Sequence, residues 1–291
     1  MIRPIMSVQR DEKSYAQNFE DLVIRDLFEE ISDSEKSDLM SVVDIGASDG
    51  VTLSNSRIFV EQGFLSLLID ADIKRFTKAK QNSESFPNCV VSNQFATPEN
   101  IQTQLKDANI SRVGILSIDI DGLDLLILKS LRQYNASIVV IEYNPTIPLH
   151  ISFEQQPNQT NLGNSALAIY DFVLSQGYFL RFATQTNLIF SKLAPERILV
   201  LADLLNDDET VRGIWVGYSG EVVFDGRPFL EFPWHGLDQR VRISGIPKVF
   251  REFFGGGNDQ EFKARVWVLA KTLLNLRDRV LSRIDQFKFL R

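Results

Sequence analysis

The chain has 291 residues, 44% of them apolar and 24% charged, enough for a sizeable core and too apolar for extended disorder. One cysteine, Cys89, and two histidines, His150 and His235, exclude a disulfide framework, a cysteine-rich zinc site and a multi-histidine metal centre. The formal charge of −7 is unevenly spread: residues 261–291 hold eight Lys/Arg against three Asp/Glu, which leaves −12 on the first 260 and argues against nucleic acid as a partner.

The N-terminal stretch has no apolar run of signal-peptide length. Nowhere do about 18 uncharged apolar residues follow one another, so no spanning helix is expected. With the lone thiol, this points to the cytoplasm. Strand and helix signals then alternate from residue 14 to about 192. A helix is expected from Asn18 to about Ile31, with Phe19, Leu22, Val23, Leu27 and Phe28 on one face. An acidic, serine-rich linker (Ser32–Asp38) leads to a strand at Ser41–Ile45 and a helix from about Ser54 to Gln62. Phe64–Asp70 reads as a second buried strand, followed by a basic helix (Ile73–Gln81). Cys89–Phe95 is the third strand, Pro98–Leu105 a helix with Pro98 near its first turn, Val113–Asp119 the fourth strand and Leu123–Gln133 a helix. Ser137–Tyr143 is the fifth strand. A polar loop (146–164), a helix (Ser165–Gln176) ended by Gly177, and a hairpin (Tyr178–Ala183, Asn187–Ser191) complete the series. Uniformly apolar strands alternating with helices imply an α/β fold, a mostly parallel sheet covered on both faces, with the hairpin adding an antiparallel strand. Residues 195–260 form an irregular extension. Beyond Gly255-Gly256-Gly257, residues 261–291 read as one basic amphipathic helix, with Val266, Leu269, Leu273, Leu276, Val280, Ile284 and Phe287 on its stripe.

In an open parallel sheet, ligands sit beyond the carboxyl ends of the strands. Those ends carry Asp44, Asp70, Asp119 and Glu142, all acidic. The first lies in Val42-Val43-Asp44-Ile45-Gly46-Ala47-Ser48-Asp49-Gly50. Its G-x-x-x-G spacing is not the G-x-G-x-x-G of a pyrophosphate cradle, and an acid before the glycines favours an ammonium or sulfonium over a phosphate. Asp70 follows some twenty residues on, where a carboxylate can accept both hydroxyls of a ribose; Asp70 or Asp72 would also serve as a helix N-cap. Together these features specify an adenosyl-type ligand without phosphate.

Asp119-Ile120-Asp121-Gly122-Leu123-Asp124 has several readings. Its first acid and glycine are shared with haloacid-dehalogenase-like phosphatases, but those place the motif on their first strand and follow the glycine with a small residue. The glycine is misplaced for a calcium-binding EF-hand loop. Asp119 would orient or deprotonate an acceptor hydroxyl, or hold one hard divalent cation such as Mg2+ with Asp121 or Asp124. Asp121 and Asp124 would otherwise cap the next helix. Glu142, buried at the end of the fifth strand, is a second acceptor-binding candidate with an expected upward pKa shift. His150, in the loop covering the site, suits a general base, or is solvated. His235 packs in a turn.

Ser14-Tyr15-Ala16-Gln17-Asn18-Phe19-Glu20-Asp21 resembles the opening motif of the FkbM-type S-adenosylmethionine-dependent methyltransferases. Val43–Ser56 is similar to their glycine loop, and Leu116–Asp124 and Val139–Asn144 to their fourth and fifth strands. The resemblance covers roughly residues 14–192, in the family's order. It implies a Rossmann-like methyltransferase domain over residues 1–194 and S-adenosylmethionine as cofactor. Asp44, Gly46 and Gly50 would line its methionine end and Asp70 would bind its ribose. It also implies transfer of a methyl group to a hydroxyl of a sugar, glycan or related small molecule, and raises the idea that Gln17 and Glu20 fold over the cofactor or acceptor. The second strand ends Asp-Ala-Asp where relatives often have Glu-Pro, and neither the 146–164 loop nor the basic helix maps onto the family. That helix would be about 45 Å long. It would dock on the acidic body, self-associate, or lie on a membrane surface at the inner face. The competing reading is a non-catalytic, nucleotide-binding scaffold that recruits a partner or membrane through its C-terminal part.

Overall fold

Each uniformly apolar segment became a strand, and the helices between them cover the two faces that those strands leave open. The computed structural model describes residues 12–145, 147, 149–159, 162–184 and 186–205, with three short strands beyond them. The chain divides into two compact units, Met1–Thr210 and Val211–Arg291. In the first unit α1 (Glu20–Glu29), α2 (Asp33–Lys36) and a 3-10 turn (Ser37–Leu39) precede β1 (Ser41–Ile45). Then come α3 (Arg57–Glu61), β2 (Leu65–Ile69), α4 (Ile73–Asn82), β3 (Cys89–Ser92), α5 (Ile101–Asp107), β4 (Ile115–Ile118) and α6 (Asp124–Ser130). After a 3-10 turn (Arg132–Tyr134) follow β5 (Ile138–Glu142), α7 (Ala166–Ser175), β6 (Phe179–Ala183), β7 (Asn187–Ser191) and α8 (Leu201–Leu204).

The seven strands form one sheet in the order β3-β2-β1-β4-β5-β7-β6. β1 to β5 are parallel, and β7 runs antiparallel between β5 and β6. The order reverses at β1, between β2 and β4, which makes the fold Rossmann-like and puts the ligand crevice at the carboxyl ends of those strands. One face carries the larger core, where Val43, Ile45, Leu67, Leu116, Ile118, Val139 and Ile141 meet α5, α6 and α7. On the other face Val42, Ile115, Ile138, Val140 and Ile189 meet Val23, Ile24, Leu27 and Phe28 of α1 and Phe59 of α3. Because strand side chains alternate, every second residue at the carboxyl edge looks toward α1 and α3.

Several boundaries differ from expectation for local reasons. The acidic stretch Ser32–Asp38 is a helical turn rather than a linker, and Lys36 pairs with Glu29 at 2.7 Å. Helix α1 begins at Glu20, because Phe19 takes a left-handed conformation (φ 65°). Helix α5 begins at Ile101, not Pro98; Thr97 and Asn100 bond reciprocally across the intervening turn. Strand β3 stops at Ser92, which leaves Phe95 in a loop. Leu201 and Leu205 join the larger core, so the first unit continues past residue 194. The second unit contains an antiparallel sheet of β8 (Ile214–Val216), β9 (Val222–Phe224) and β10 (Arg227–Pro228). Apart from those strands, the extension beyond Leu205, His235 and the basic 261–291 helix lie outside the described residues.

Candidate active site

The register of the sheet lines up five residues into one row at its carboxyl edge. Ile45 pairs with Ile69 and with Ile118, and Ile118 pairs with Ile141. One residue further on, Asp70, Gly46, Asp119 and Glu142 therefore stand side by side on β2, β1, β4 and β5, with neighbouring strands about 4.8 Å apart. Asn187 of β7 pairs directly with Glu142 and closes the row. All five lie on the α1/α3 face. The row is acid, glycine, acid, acid, amide, with no basic side chain in it.

Gly46 is the dip in that row, for a steric reason. It has φ 93°, and a Cβ there would stand 1.7 Å from the carbonyl oxygen of Asp119. The glycine is demanded by the close approach of β1 and β4, a tighter constraint than the approach of a ligand. Gly50 has φ 71° and packs over Leu68 and Ala79, closing the turn onto α4.

Asp70 organises that turn. One carboxylate oxygen accepts from the Ser48 amide at 2.9 Å and the other from the Asp72 amide at 2.8 Å. The N-cap of α4 is Asp72, which accepts from the amides of Lys74 and Arg75. Asp70 is thus free of capping duty, and each of its oxygens keeps a further lone pair for a hydroxyl donor. Two exposed apolar side chains lie on the adjoining segments, Ile73 at the start of α4 (59%) and Phe95 in the loop after β3 (66%). The loop bearing Phe95 is held against the end of β2 by Asn93, whose side-chain amide donates to the carbonyls of Asp70 and Ala71. An acid with exposed apolar side chains on the adjoining segments suits a ribose carrying a flat base. Sequence reasoning missed both apolar residues, because Phe95 reads as the end of a buried strand.

Asp44 lies two residues before the row's Gly46 on β1 and is buried. It accepts from the Ser56 hydroxyl at 2.5 Å and hydrogen-bonds Ser117, its register partner on β4. Burial pushes its pKa up to about 6, the two hydroxyls oppose that rise, and Asp70 adds to it. Asp44 therefore underlies the site from beneath the glycine turn and presents no open oxygen to the crevice.

Asp119 hydrogen-bonds Glu142. Its carboxylate is open to solvent yet crowded by protein, and desolvation followed by the charges of Asp124, Asp121 and Asp44 raises its pKa to about 7. Oxygens of Asp119, Asp121 and Glu142 lie within 4.8 Å of one another, which is where a hard divalent cation could be held. Asp124 does not join them. It is buried, sits in the first turn of α6, and accepts from the backbone amides of Ile120 and Gly122 at 2.8 and 2.9 Å. Those bonds stitch the preceding turn, in which Asp121 is left-handed (φ 57°). The expected helix cap at Asp124 is thus a clamp on the turn, and desolvation lifts its pKa to about 6.

The loop between β5 and α7 is pinned to that turn. Asn164 donates to the Gly122 carbonyl at 2.8 Å, and Gln155 accepts from the amides of Leu162 and Gly163. His150 lies on this loop, exposed and outside the three-carboxylate group. Glu20 and Asp21 are both fully buried. Glu20 accepts from the Asn18 amide at 2.7 Å and from the Asn187 side chain at 3.3 Å, so it is committed to protein and does not fold over a ligand as expected. Asp21 accepts from the Ser14 hydroxyl and the Tyr15 amide.

No protein-family model matches this chain, and no curated protein does. Similar solved structures include the citrinin polyketide synthase CMeT domain, 12% identical, covering 54% of this chain and 47% of that one, with a TM-score of 0.35. Another is the N-terminal domain of EvdMO1 with SAH bound, 10% identical over 60% of this chain and 81% of that one, TM-score 0.40. A third is magnesium protoporphyrin IX methyltransferase (ChlM) from Synechocystis PCC 6803 with bound SAH, 12% identical over 60% and 83%, TM-score 0.37. The chain spans about half the length of the first of these. Strand order and register define its Rossmann-like class on their own.

Proposed function

We propose that the chain is an S-adenosylmethionine-dependent methyltransferase of the FkbM type, acting on a hydroxyl of a sugar, glycan or related small molecule. The observation that carries this reading is the row Asp70–Gly46–Asp119–Glu142, three carboxylates at the switch point of the sheet with no cation among them. Desolvation first, and repulsion by neighbouring carboxylates second, raise the pKa of Asp44 and Asp119, an arrangement that a positively charged ligand relieves. When bound, the cofactor supplies a methyl group on a cationic sulfonium.

The chain's own residues divide between two ends of the row. Asp70 accepts the ribose hydroxyls, and Ile73 and Phe95 take the base between them. Gly46 and Gly50 shape the turn, and Asp44 adds negative potential from below. At the other end, Asp119 and Glu142 form a hydrogen-bonded pair that holds one proton near neutral pH. Once ionised, it accepts the proton of an acceptor hydroxyl at a carboxylate oxygen; a base titrating near 7 suits that task. Methyl transfer itself gains most from fixed positioning. His150 belongs to the acceptor side through its loop. A second reading of the same end, supported by the 4.8 Å grouping, has Asp119, Asp121 and Glu142 holding one divalent cation that orients the hydroxyl.

Calorimetric titration with S-adenosylmethionine tests the proposal. Saturable binding, abolished or strongly weakened by Asp70→Ala, is expected. No heat at millimolar ligand overturns it, and binding without turnover on hydroxylated acceptors favours a scaffold.

A further inference from the structure

Asn187 opens β7 and is the register partner of Glu142 on β5. The Tyr143 amide donates to the Thr186 carbonyl at 2.8 Å, one residue beyond that pair on each strand. Glu142 and Asn187 are therefore a non-hydrogen-bonded pair, the kind that brings Cα atoms to about 4.5 Å and side chains closest together. Nothing else in the row stands so near the carboxylates of Glu142 and its partner Asp119.

Asn187 is only 5% exposed. Its Nδ2 donates to Glu20 and to the Thr186 hydroxyl, each at 3.3 Å. Its Oδ1 is buried and has no hydrogen-bond partner among the described residues. Turning the amide over would not repair this, because Oδ1 would then face the Glu20 carboxylate, acceptor against acceptor. Glu20 is itself fully buried and held by the backbone and side-chain amides of Asn18 at 2.7 and 3.2 Å. The amide is thus locked with Nδ2 toward α1 and Oδ1 unserved. A buried acceptor without a donor is rare in a folded protein, because it keeps its desolvation cost. The row supplies no donor: its side chains are carboxylates, and the proton of the Asp119–Glu142 pair lies in the bond between them.

We propose that Asn187 Oδ1 accepts a hydrogen bond from a second hydroxyl of the acceptor, next to the one taken by Asp119 and Glu142. The site then selects a vicinal diol, as in a sugar ring, over an isolated hydroxyl. The closeness of the Glu142–Asn187 pair lets two adjacent hydroxyls meet two adjacent side chains. A neutral donor suits the amide oxygen, since a cationic one is drawn to the carboxylates instead. This rests on the reading of the chain as a hydroxyl-directed methyltransferase, and the test is read in binding alone so that the two fail separately.

The full chain is titrated calorimetrically with methyl glucoside, methyl mannoside, methyl galactoside and their monodeoxy counterparts, with and without saturating S-adenosylhomocysteine. A parent glycoside should bind about tenfold tighter than the counterpart lacking the neighbouring hydroxyl, as for one hydrogen bond. In Asn187→Ala the parent should fall to the affinity of that deoxy sugar, while the affinities for the deoxy sugar and for S-adenosylhomocysteine stay as in the wild type. If Asn187→Ala does not fold, Asn187→Ala combined with Glu20→Gln leaves no buried carboxylate without its donor and takes its place. Equal binding of parent and deoxy sugars by the wild type, no glycoside binding at all, or a diol preference that survives in the variant overturns the proposal. Absence of S-adenosylhomocysteine binding with the diol preference intact overturns the cofactor reading and not this one.

Discussion

Asp44→Asn replaces a buried, ionisable side chain with a neutral one of the same shape. In the folded chain the carboxyl titrates near 6 against 3.8 in its ordinary setting, because the desolvation penalty outweighs the hydrogen bonds from Ser56 and Ser117. The native state therefore binds this proton more tightly than the unfolded chain does. The stabilisation is present in full below the unfolded value and is lost as the pH rises through about 6. A shift of this size corresponds to about 3 kcal/mol, and the group is too buried for solvent to screen much of it. In a unit of this size that is roughly 6–12 °C in melting temperature. Asparagine carries no such titration. The melting temperature of Asp44→Asn minus that of the wild type should grow by several degrees between pH 5 and pH 8, measured by scanning calorimetry on the ligand-free full chain. Taking the difference cancels the titration of Asp124, and that of Asp119 apart from the part due to the Asp44 charge, which the variant removes. A difference that stays constant across that range would refute the claim that Asp44 is held protonated by burial.

Two further outcomes follow from the same electrostatics. The carboxyl carbon of Asp119, followed by NMR in the ligand-free chain, should titrate with a midpoint near 7; Asp121→Asn removes a like charge and should lower it, so an unmoved midpoint counts against the cluster. Manganese should raise the melting temperature of the wild type and leave that of Asp121→Ala unchanged, whereas equal shifts in both would show that the ion binds elsewhere.

The strand and helix order was legible in the sequence because each strand is apolar on both sides, which only a sheet covered on two faces explains. The four terminal acids were legible for the same reason, since a charge closing such a run stands out. Register was not legible. Nothing local indicates that Asp119 and Glu142 stand in one row with Asn187, or that Asp44, two residues before Gly46, lies beneath the site. Gly46 invited a ligand explanation, while its tightest neighbour is the backbone of Asp119. Glu20 and Asp21, polar residues opening a helix, look like a solvated face, and their complete burial reverses that reading. Phe95, expected to close the third strand, is exposed because strand pairing ends at Ser92.

A structure of the full chain with S-adenosylhomocysteine tests the central claim most directly. The account predicts the ribose hydroxyls on Asp70, the base between Ile73 and Phe95, and the sulfur over Gly46 facing Asp119. A ligand seated away from that row, or a row that stays clear of ligand at saturating concentration, would contradict it.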